Sequence, residues 1–246
     1  MSEQKIINIE VLRYQPDVDK EPYWQNFEVP FTDDMSVLQG LQYIKDHLDG
    51  SLSYRWSCRM ASCGSCGMTI NDRPGLSCQT FLRDIHPETV RVQALNHFPI
   101  ERDLIADISD FVDKLESITP YIVPQEEKSP QDGEFLQTPA QMAEYEQFSG
   151  CINCLVCYAA CPQYGLNNDF AGPGILALLH RYNADSRDSA SRKRLEIVNA
   201  EDGVWGCTLV GYCSEVCPKN VDPANAVNRN KIASTIDYFT HFLHGD

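Results

Sequence analysis

At 246 residues, 43% of them hydrophobic, the chain is long enough for two modest domains with cores of their own, and too mixed for a disordered or membrane-embedded protein. Its formal charge of −15 excludes a nucleic-acid surface, which needs clustered Lys and Arg to displace counterions, and an anionic lipid surface as well. No run approaches the roughly 18 apolar residues of a membrane span.

The N-terminus, Met1-Ser2-Glu3-Gln4-Lys5, lacks an apolar signal region and a twin arginine, so a cytosolic chain is expected. Eleven cysteines, an odd number in a reducing compartment, then point to metal rather than to disulfides. Ile7, Ile9 and Val11 alternate with Asn8 and Glu10 and predict a half-buried strand; Trp24, Phe27, Val29 and Phe31 predict a second, antiparallel to it. Val37, Leu38, Leu41, Ile44 and Leu48 predict an amphipathic helix that Gly50 ends in a left-handed conformation. A cysteine-rich loop follows. Short strands are then expected over 67–71 and 89–93, with Asn71-Asp72-Arg73-Pro74-Gly75 as a turn. This is the element order of a β-grasp fold.

The loop Cys58-Arg59-Met60-Ala61-Ser62-Cys63-Gly64-Ser65-Cys66 reads C-x4-C-x2-C, and Cys78 completes the set after eleven residues. That is the plant-type ferredoxin spacing of a [2Fe–2S] cluster. Four thiolates must converge on a small inorganic core with backbone amides around it, and Gly64 and Gly67 are expected to let the backbone approach that core. A structural zinc site is the alternative, but zinc ribbons usually show two C-x2-C knuckles.

Between the cysteine groups, Leu104, Ile108, Phe111, Val112, Leu115 and Ile118 recur at helical steps, predicting a helix over 104–118. Pro120, Pro124, Pro130 and Pro139 follow in linker composition. These features place the domain boundary near residue 103: a plant-type [2Fe–2S] domain over 1–103 and an all-α domain over 104–246. The helix is expected to pack in the second half, with the Pro-rich segment wrapping across it.

The second half carries Cys151-Ile152-Asn153-Cys154-Leu155-Val156-Cys157-Tyr158-Ala159-Ala160-Cys161-Pro162, which is C-x2-C-x2-C-x3-C-P. In two-cluster ferredoxins the fourth Cys of such a run ligates the other cluster. A second run, Cys207-Thr208-Leu209-Val210-Gly211-Tyr212-Cys213-Ser214-Glu215-Val216-Cys217-Pro218, has the same length, with Val210 at its second cysteine position. Crossed wiring gives Cys151, Cys154, Cys157 and Cys217 to a [4Fe–4S] cluster. It leaves Cys161, Cys207 and Cys213 with three thiolates, fit for a [3Fe–4S] cluster. Val210, which cannot bind iron, is expected to shield the open corner, against the alternative of a [4Fe–4S] cluster with an outside ligand there. The whole is an α+β chain, a β-grasp domain followed by a helical dicluster domain.

A plant-type half followed by a dicluster half with one missing cysteine resembles the iron–sulfur subunit of the succinate dehydrogenase and fumarate reductase family. The resemblance covers nearly the whole chain. It includes Tyr54-Arg55-Trp56-Ser57-Cys58-Arg59-Met60, Cys63-Gly64-Ser65-Cys66-Gly67-Met68, Phe98-Pro99-Ile100-Glu101-Arg102-Asp103-Leu104 and Cys217-Pro218-Lys219. It implies a bridge between a FAD-bearing catalytic subunit and a membrane anchor that binds quinone, with no substrate chemistry on this chain. Gln163-Tyr164-Gly165-Leu166-Asn167 and Thr208 stand where ubiquinone-linked succinate dehydrogenases usually carry Trp and His. The chain is therefore more similar to bacterial menaquinol:fumarate reductases with two small anchor subunits. By that resemblance Thr208, Leu209, Asn228 and Lys231 lie near menaquinone and the [3Fe–4S] cluster, peripheral on the cytoplasmic face of the inner membrane, in anaerobic respiration. The alternatives are a succinate dehydrogenase subunit, or a cluster subunit of another soluble oxidoreductase.

Other features read as structure. His180-Arg181-Tyr182 and Ser186-Arg187-Asp188 are expected to pack and pair, and Ser191-Arg192-Lys193-Arg194 to form a solvated helix face. Gly172-Pro173-Gly174 reads as a helix start. His97, His241 and His244 show no ligand spacing with any cysteine.

Overall fold

The computed structural model describes residues 5–241. Residues 1–4, which bear on the targeting expectation, and His244 lie outside the described residues, as does the side chain of His241. The chain divides into two compact units. One runs to Ile108 and includes Ile152–Ala160; the other is formed by Ser109–Cys151 and the residues from Cys161 onward.

In the first unit, β1 (Lys5–Arg13) and β2 (Tyr23–Phe31) pair antiparallel, with Ile9 opposite Phe27. Ser36 and Gln39 then close a capping box on α1 (Val37–Tyr43). β3 (Gly67–Ile70), β4 (Arg73–Leu76) and β5 (Val90–Gln93) complete a sheet of order β2-β1-β5-β3-β4, in which β5 runs parallel to β1. Ile9, Val11, Val29, Val90 and Val92 on the sheet meet Val37, Leu41 and Ile44 of the helical segment in one buried cluster. Each such aliphatic side chain removed from water contributes about 1.5–3 kcal/mol.

Three local expectations need correction here. α1 widens into one broader turn after Tyr43, closed by the Asp49 N–H donating to the Ile44 carbonyl at 2.7 Å. Asp49, extended at φ −149°, ends the helix; Gly50 is not left-handed, and Leu48 is exposed. The turn after β3 consists of Asn71 and Asp72 alone, both left-handed, so Arg73-Pro74-Gly75 belongs to a strand. Pro74 is tolerated because β4 is an edge strand. Finally, the stretch from Leu104 does not begin a helix. β6 (Ile100–Arg102) and β7 (Ile105–Ala106) form a hairpin turned at Asp103, φ 46°, and Leu104 sits in the first unit's core.

A buried ionic pin holds that hairpin. Arg13 is 2% exposed and donates to Asp103 at 3.0 Å, Asp49 and Gln25 at 2.6 Å, and Ser51 at 2.8 Å. Asp103 also accepts from the Tyr14 and Ser53 N–H groups. The Ser51 hydroxyl, followed by the Arg13 guanidinium, holds the Asp49 carboxyl well below the usual range. The segment entering the cysteine loop is thus fixed to β1 and to the hairpin at once.

The helices beyond are α2 (Ser109–Ser117), α3 (Pro139–Ala143), α4 (Glu146–Ser149), α5 (Val156–Ala159), α6 (Pro162–Leu166), α7 (Pro173–Asn183), α8 (Ser191–Asn199), α9 (Tyr212–Glu215) and α10 (Pro223–His241). α5 belongs to the first unit, where it lies against β3 and β4 and the Tyr158 ring stands 6.1 Å from that of Phe98. The compact units therefore divide after Ile108 rather than at 103. They also take nine residues of the first C-x2-C run into the β-grasp unit.

In the second unit α7 lies between α10 and α4, with α2 and α8 also against it. Gly172 caps α7 and Pro173 opens it, as the sequence implies. The Pro-rich segment does wrap: the Ser189 N–H donates to the Val123 carbonyl at 2.8 Å, and the Val123 N–H to Asp188 at 3.0 Å. Its clamp is Arg194, which is 1% exposed and not on a solvated face. The guanidinium donates to the carbonyls of Ile118, Thr119 and Tyr121 and to buried Asp188 at 2.7 Å. Burial works against the Asp188 carboxylate, but Arg194 and the Val123 and Ala190 N–H groups more than offset it and lower its pKa.

Candidate metal centres

The loop entering β3 is built around sulfur. Left-handed residues at Arg59 (φ 62°) and Ala61 (φ 54°) curl the backbone so that its N–H groups turn inward. Those of Met60, Ser62 and Cys63 donate to Cys58 Sγ at 3.4, 3.2 and 3.3 Å; that of Ala61 donates to Cys78 Sγ at 3.3 Å, and that of Cys58 to Cys63 Sγ at 3.4 Å. The Cys58 N–H, then the Ser65 hydroxyl and N–H, pull the Cys63 thiol down to about 6. Burial, then a hydrogen bond with the Cys66 thiol, pushes Cys78 up to about 11. Cys58, Cys63, Cys66 and Cys78 thus crowd together, with backbone amides supplied to the sulfurs of Cys58, Cys63 and Cys78. This donor set fits a [2Fe–2S] cluster.

The two C-terminal runs share one backbone design. In the first, Asn153 and Leu155 are left-handed and α5 presents Cys157; in the second, Leu209 and Gly211 are left-handed and α9 presents Cys213. Within the second unit, burial raises the Cys161 thiol against N–H bonds from Tyr164 and Gln163, and the charge of Cys207 adds to the rise. Burial and the charges of Cys161 and Cys207 push Cys213 up to about 11. These three sulfurs are therefore neighbours. Cys151 and Cys217 pack against one apolar group of Phe148, Ala177, Val221 and Ala226. Cys154 and Cys157 lie in the first unit. Among the described residues no three His, Cys, Asp or Glu side chains close around a single ion. Ligands of a polynuclear cluster are shared among several irons, so their sulfurs need not converge on a single ion.

Val210, expected to stand at the open corner, is 64% exposed, in a stretch over 208–210 that is exposed throughout. Thr208, Leu209 and Asn228 are exposed as well. Lys231 is half-buried rather than solvated. Its ammonium donates to the Cys207 carbonyl at 2.8 Å and lies 5.4 Å from the centre of the Trp205 ring. Trp205, whose indole N–H donates to Ser234 at 3.2 Å, carries no sequence signal of this role.

A β-grasp sulfur loop followed by two matched cysteine runs, one of them with Val210 in place of a cysteine, defines an electron carrier with several iron–sulfur centres. Two family profiles match it: a 2Fe-2S iron-sulfur cluster binding domain over residues 8–113 and a 4Fe-4S dicluster domain over 147–221. The chain is 51% identical to the fumarate reductase iron-sulfur subunit of Haemophilus influenzae, over 99% of this chain and 98% of that one. It is 55% identical to that of Shigella flexneri, over 97% of each. Among solved structures, a chain of the Mycobacterium smegmatis Sdh1 complex in the apo form superposes with a TM-score of 0.87 at 26% identity, covering 96% of this chain and 98% of that chain. The chain belongs to the iron–sulfur subunit family of fumarate reductases and succinate dehydrogenases, on the fumarate reductase side. It carries three iron–sulfur clusters as the electron-transfer part of an oxidoreductase complex that includes a flavoprotein.

Proposed function

We propose that this chain relays electrons from menaquinol to an FAD-bearing flavoprotein that reduces fumarate, held by two anchor subunits at the cytoplasmic face of the inner membrane. Its ligand sets are Cys58, Cys63, Cys66 and Cys78 for [2Fe–2S]; Cys151, Cys154, Cys157 and Cys217 for [4Fe–4S]; and Cys161, Cys207 and Cys213 for [3Fe–4S]. In ligand chemistry the chain divides into 1–103 and 104–246. Bound clusters supply one-electron centres of graded potential. The chain's own residues supply thiolates, sulfur-directed N–H groups and, at Lys231, a cation beside the Cys207 loop that favours the more negative, reduced state there.

The observation that carries the membrane side of this reading is an apolar surface around the three-cysteine group. Leu209 and Val210 are exposed beside Cys207, and Ile232, Ile236, Tyr238 and Phe239 of α10 are 54–68% exposed. No helix among the described residues is long and apolar enough to cross a membrane, so a surface of this kind suits docking onto subunits that do. Thr208, Leu209, Asn228 and Lys231 would then face the quinone.

The test is to purify the assembly in mild detergent and identify its chains and retained quinone by mass spectrometry. The expected result is a flavin-bearing chain, two small apolar chains and menaquinone. Recovery without flavin, with a single anchor or with ubiquinone would overturn the corresponding part.

A further inference from the structure

Gly64 and Gly67 have a use that the loop's own chemistry does not explain. A Cβ on Gly64 would stand 2.8 Å from the Ile152 carbonyl oxygen and 2.9 Å from Cys154 Cβ, and one on Gly67 would stand 2.8 Å from the Cys154 carbonyl oxygen. What presses on these glycines is the backbone of the first C-x2-C run, within the same compact unit. Beside the contact the two segments part around a cavity of about 170 Å³, lined among others by Arg55, Ser65, Leu95, Asn153 and Leu155. Gly64, Gly67 and Cys154 line it too, so their contact forms one wall of that cavity.

We propose that Gly64 and Gly67 are positioning residues for electron passage, forming the seat that brings the Cys154 backbone against the Cys58–Cys78 loop and so sets the spacing between the first two centres. This rests on the ligand sets proposed above. A single electron moves between these centres, with no bond made or broken, so separation and orientation are what the protein supplies. The seat cannot yield from below, because Gly67 is held in β3 opposite Leu76 and its N–H donates to the Gly64 carbonyl at 3.2 Å. A methyl group there must push Ile152–Cys154 outward, toward ordinary contact at about 3.5 Å. Gly67 is the cleaner position to test, since Gly64, at φ 76°, would add backbone strain.

The experiment compares the purified complex of wild type, Gly67→Ala and Gly75→Ala. A Cβ on Gly75 meets nothing nearer than 3.9 Å, which makes it the control. The readout is microwave power saturation of the reduced [2Fe–2S] signal with the neighbouring [4Fe–4S] centre reduced and oxidised, alongside iron content and both midpoint potentials. In wild type and Gly75→Ala, reduction of the neighbour should speed relaxation. In Gly67→Ala that enhancement should fall by a fraction of its wild-type value while the potentials stay near wild type. Should Gly67→Ala lose iron, loss of both flanking centres with the [3Fe–4S] signal retained supports the seat, whereas loss of [2Fe–2S] alone overturns it. Wild-type relaxation in Gly67→Ala, or an equal loss in Gly75→Ala, removes the proposal alone. Absence of the two signals from wild type removes the ligand sets, and the proposal with them.

Discussion

The two cysteine runs, 151–162 and 207–218, fold alike and differ at one cysteine position, Cys154 in the first and Val210 in the second. Asn153 and Leu155 in the first (φ 53° and 63°) match Leu209 and Gly211 in the second (φ 58° and 85°). The helical turns behind them close with equal bonds, Ala160 N–H to Val156 O and Val216 N–H to Tyr212 O, both 3.1 Å. Left-handed conformations at non-glycine residues cost about 1–2 kcal/mol each, an expense that turns backbone N–H groups toward sulfur. The Leu209 N–H, for one, donates to Cys207 Sγ at 3.3 Å. The backbone is thus prepared for a fourth ligand in both runs. On the proposed ligand sets, whether a cluster is completed rests on Cys154 in one and Val210 in the other.

The sharpest way to break that comparison is Val210→Cys. It puts a thiolate where the first run has Cys154, and a fourth iron should bind. The oxidised-state paramagnetic signal of a [3Fe–4S] centre should vanish and a reduced [4Fe–4S] signal appear. An added thiolate stabilises the oxidised state, so the potential should fall; each fall of about 60 mV shifts a one-electron equilibrium tenfold. Quinol-driven fumarate reduction should slow markedly, and reduction by a strong artificial donor entering through another centre less so. Persistence of the original signal and activity would mean that the runs are wrongly matched.

A second, smaller effect separates the runs by what stands behind them. Arg194→Met strips buried Asp188 and three carbonyls of their partner, a loss worth about 3–5 kcal/mol. Thermal unfolding of the assembly, followed cluster by cluster, should show the [3Fe–4S] signal lost well before the [2Fe–2S] signal. Simultaneous loss would deny the second unit an independent stability.

Smaller again is Lys231→Met, which removes a cation from the second run only. The [3Fe–4S] potential should drop, by less than the ~60 mV that makes a tenfold change, while the other centres hold theirs. Redox titration followed by electron paramagnetic resonance reads all three.

The least effect concerns pH. His180 lies edge-on to Phe148 at 4.8 Å, behind Cys151 and Cys217. Burial, then the charge of Arg229, holds it down to about 4. The unfolded chain, with an ordinary value near 6.5, binds more protons between those limits, so stability should be full above about pH 6.5 and decline toward pH 4. His180→Gln should flatten this slope in unfolding measurements across that window. An unchanged slope would assign acid lability to other groups.

Much of this was legible in the residues. Cysteine spacing is set by the geometry of sulfur around iron, so a chain with several iron–sulfur centres, and the family that carries them, could be read from the residues alone. Alternation in β1 and β2 reported a sheet with one buried face. The illegible parts depend on contacts distant in sequence. Leu104 fits a helical period, yet Asp103, gripped by Arg13, turns it into a hairpin. Arg194 sits in a basic run that looks solvated until Ile118–Tyr121 folds over it. Gly64 and Gly67 read as clearance for a cluster, and their nearest neighbours prove to be residues about 90 positions later.

Iron stoichiometry joined to the oxidised-state spectrum tests the difference between the runs most directly. Anaerobically purified assembly should contain about nine irons per copy of this chain, matched by acid-labile sulfide, and show a [3Fe–4S] signal when oxidised. About ten irons with a silent oxidised state would mean that the Val210 corner is filled, and that one side chain does not decide the cluster.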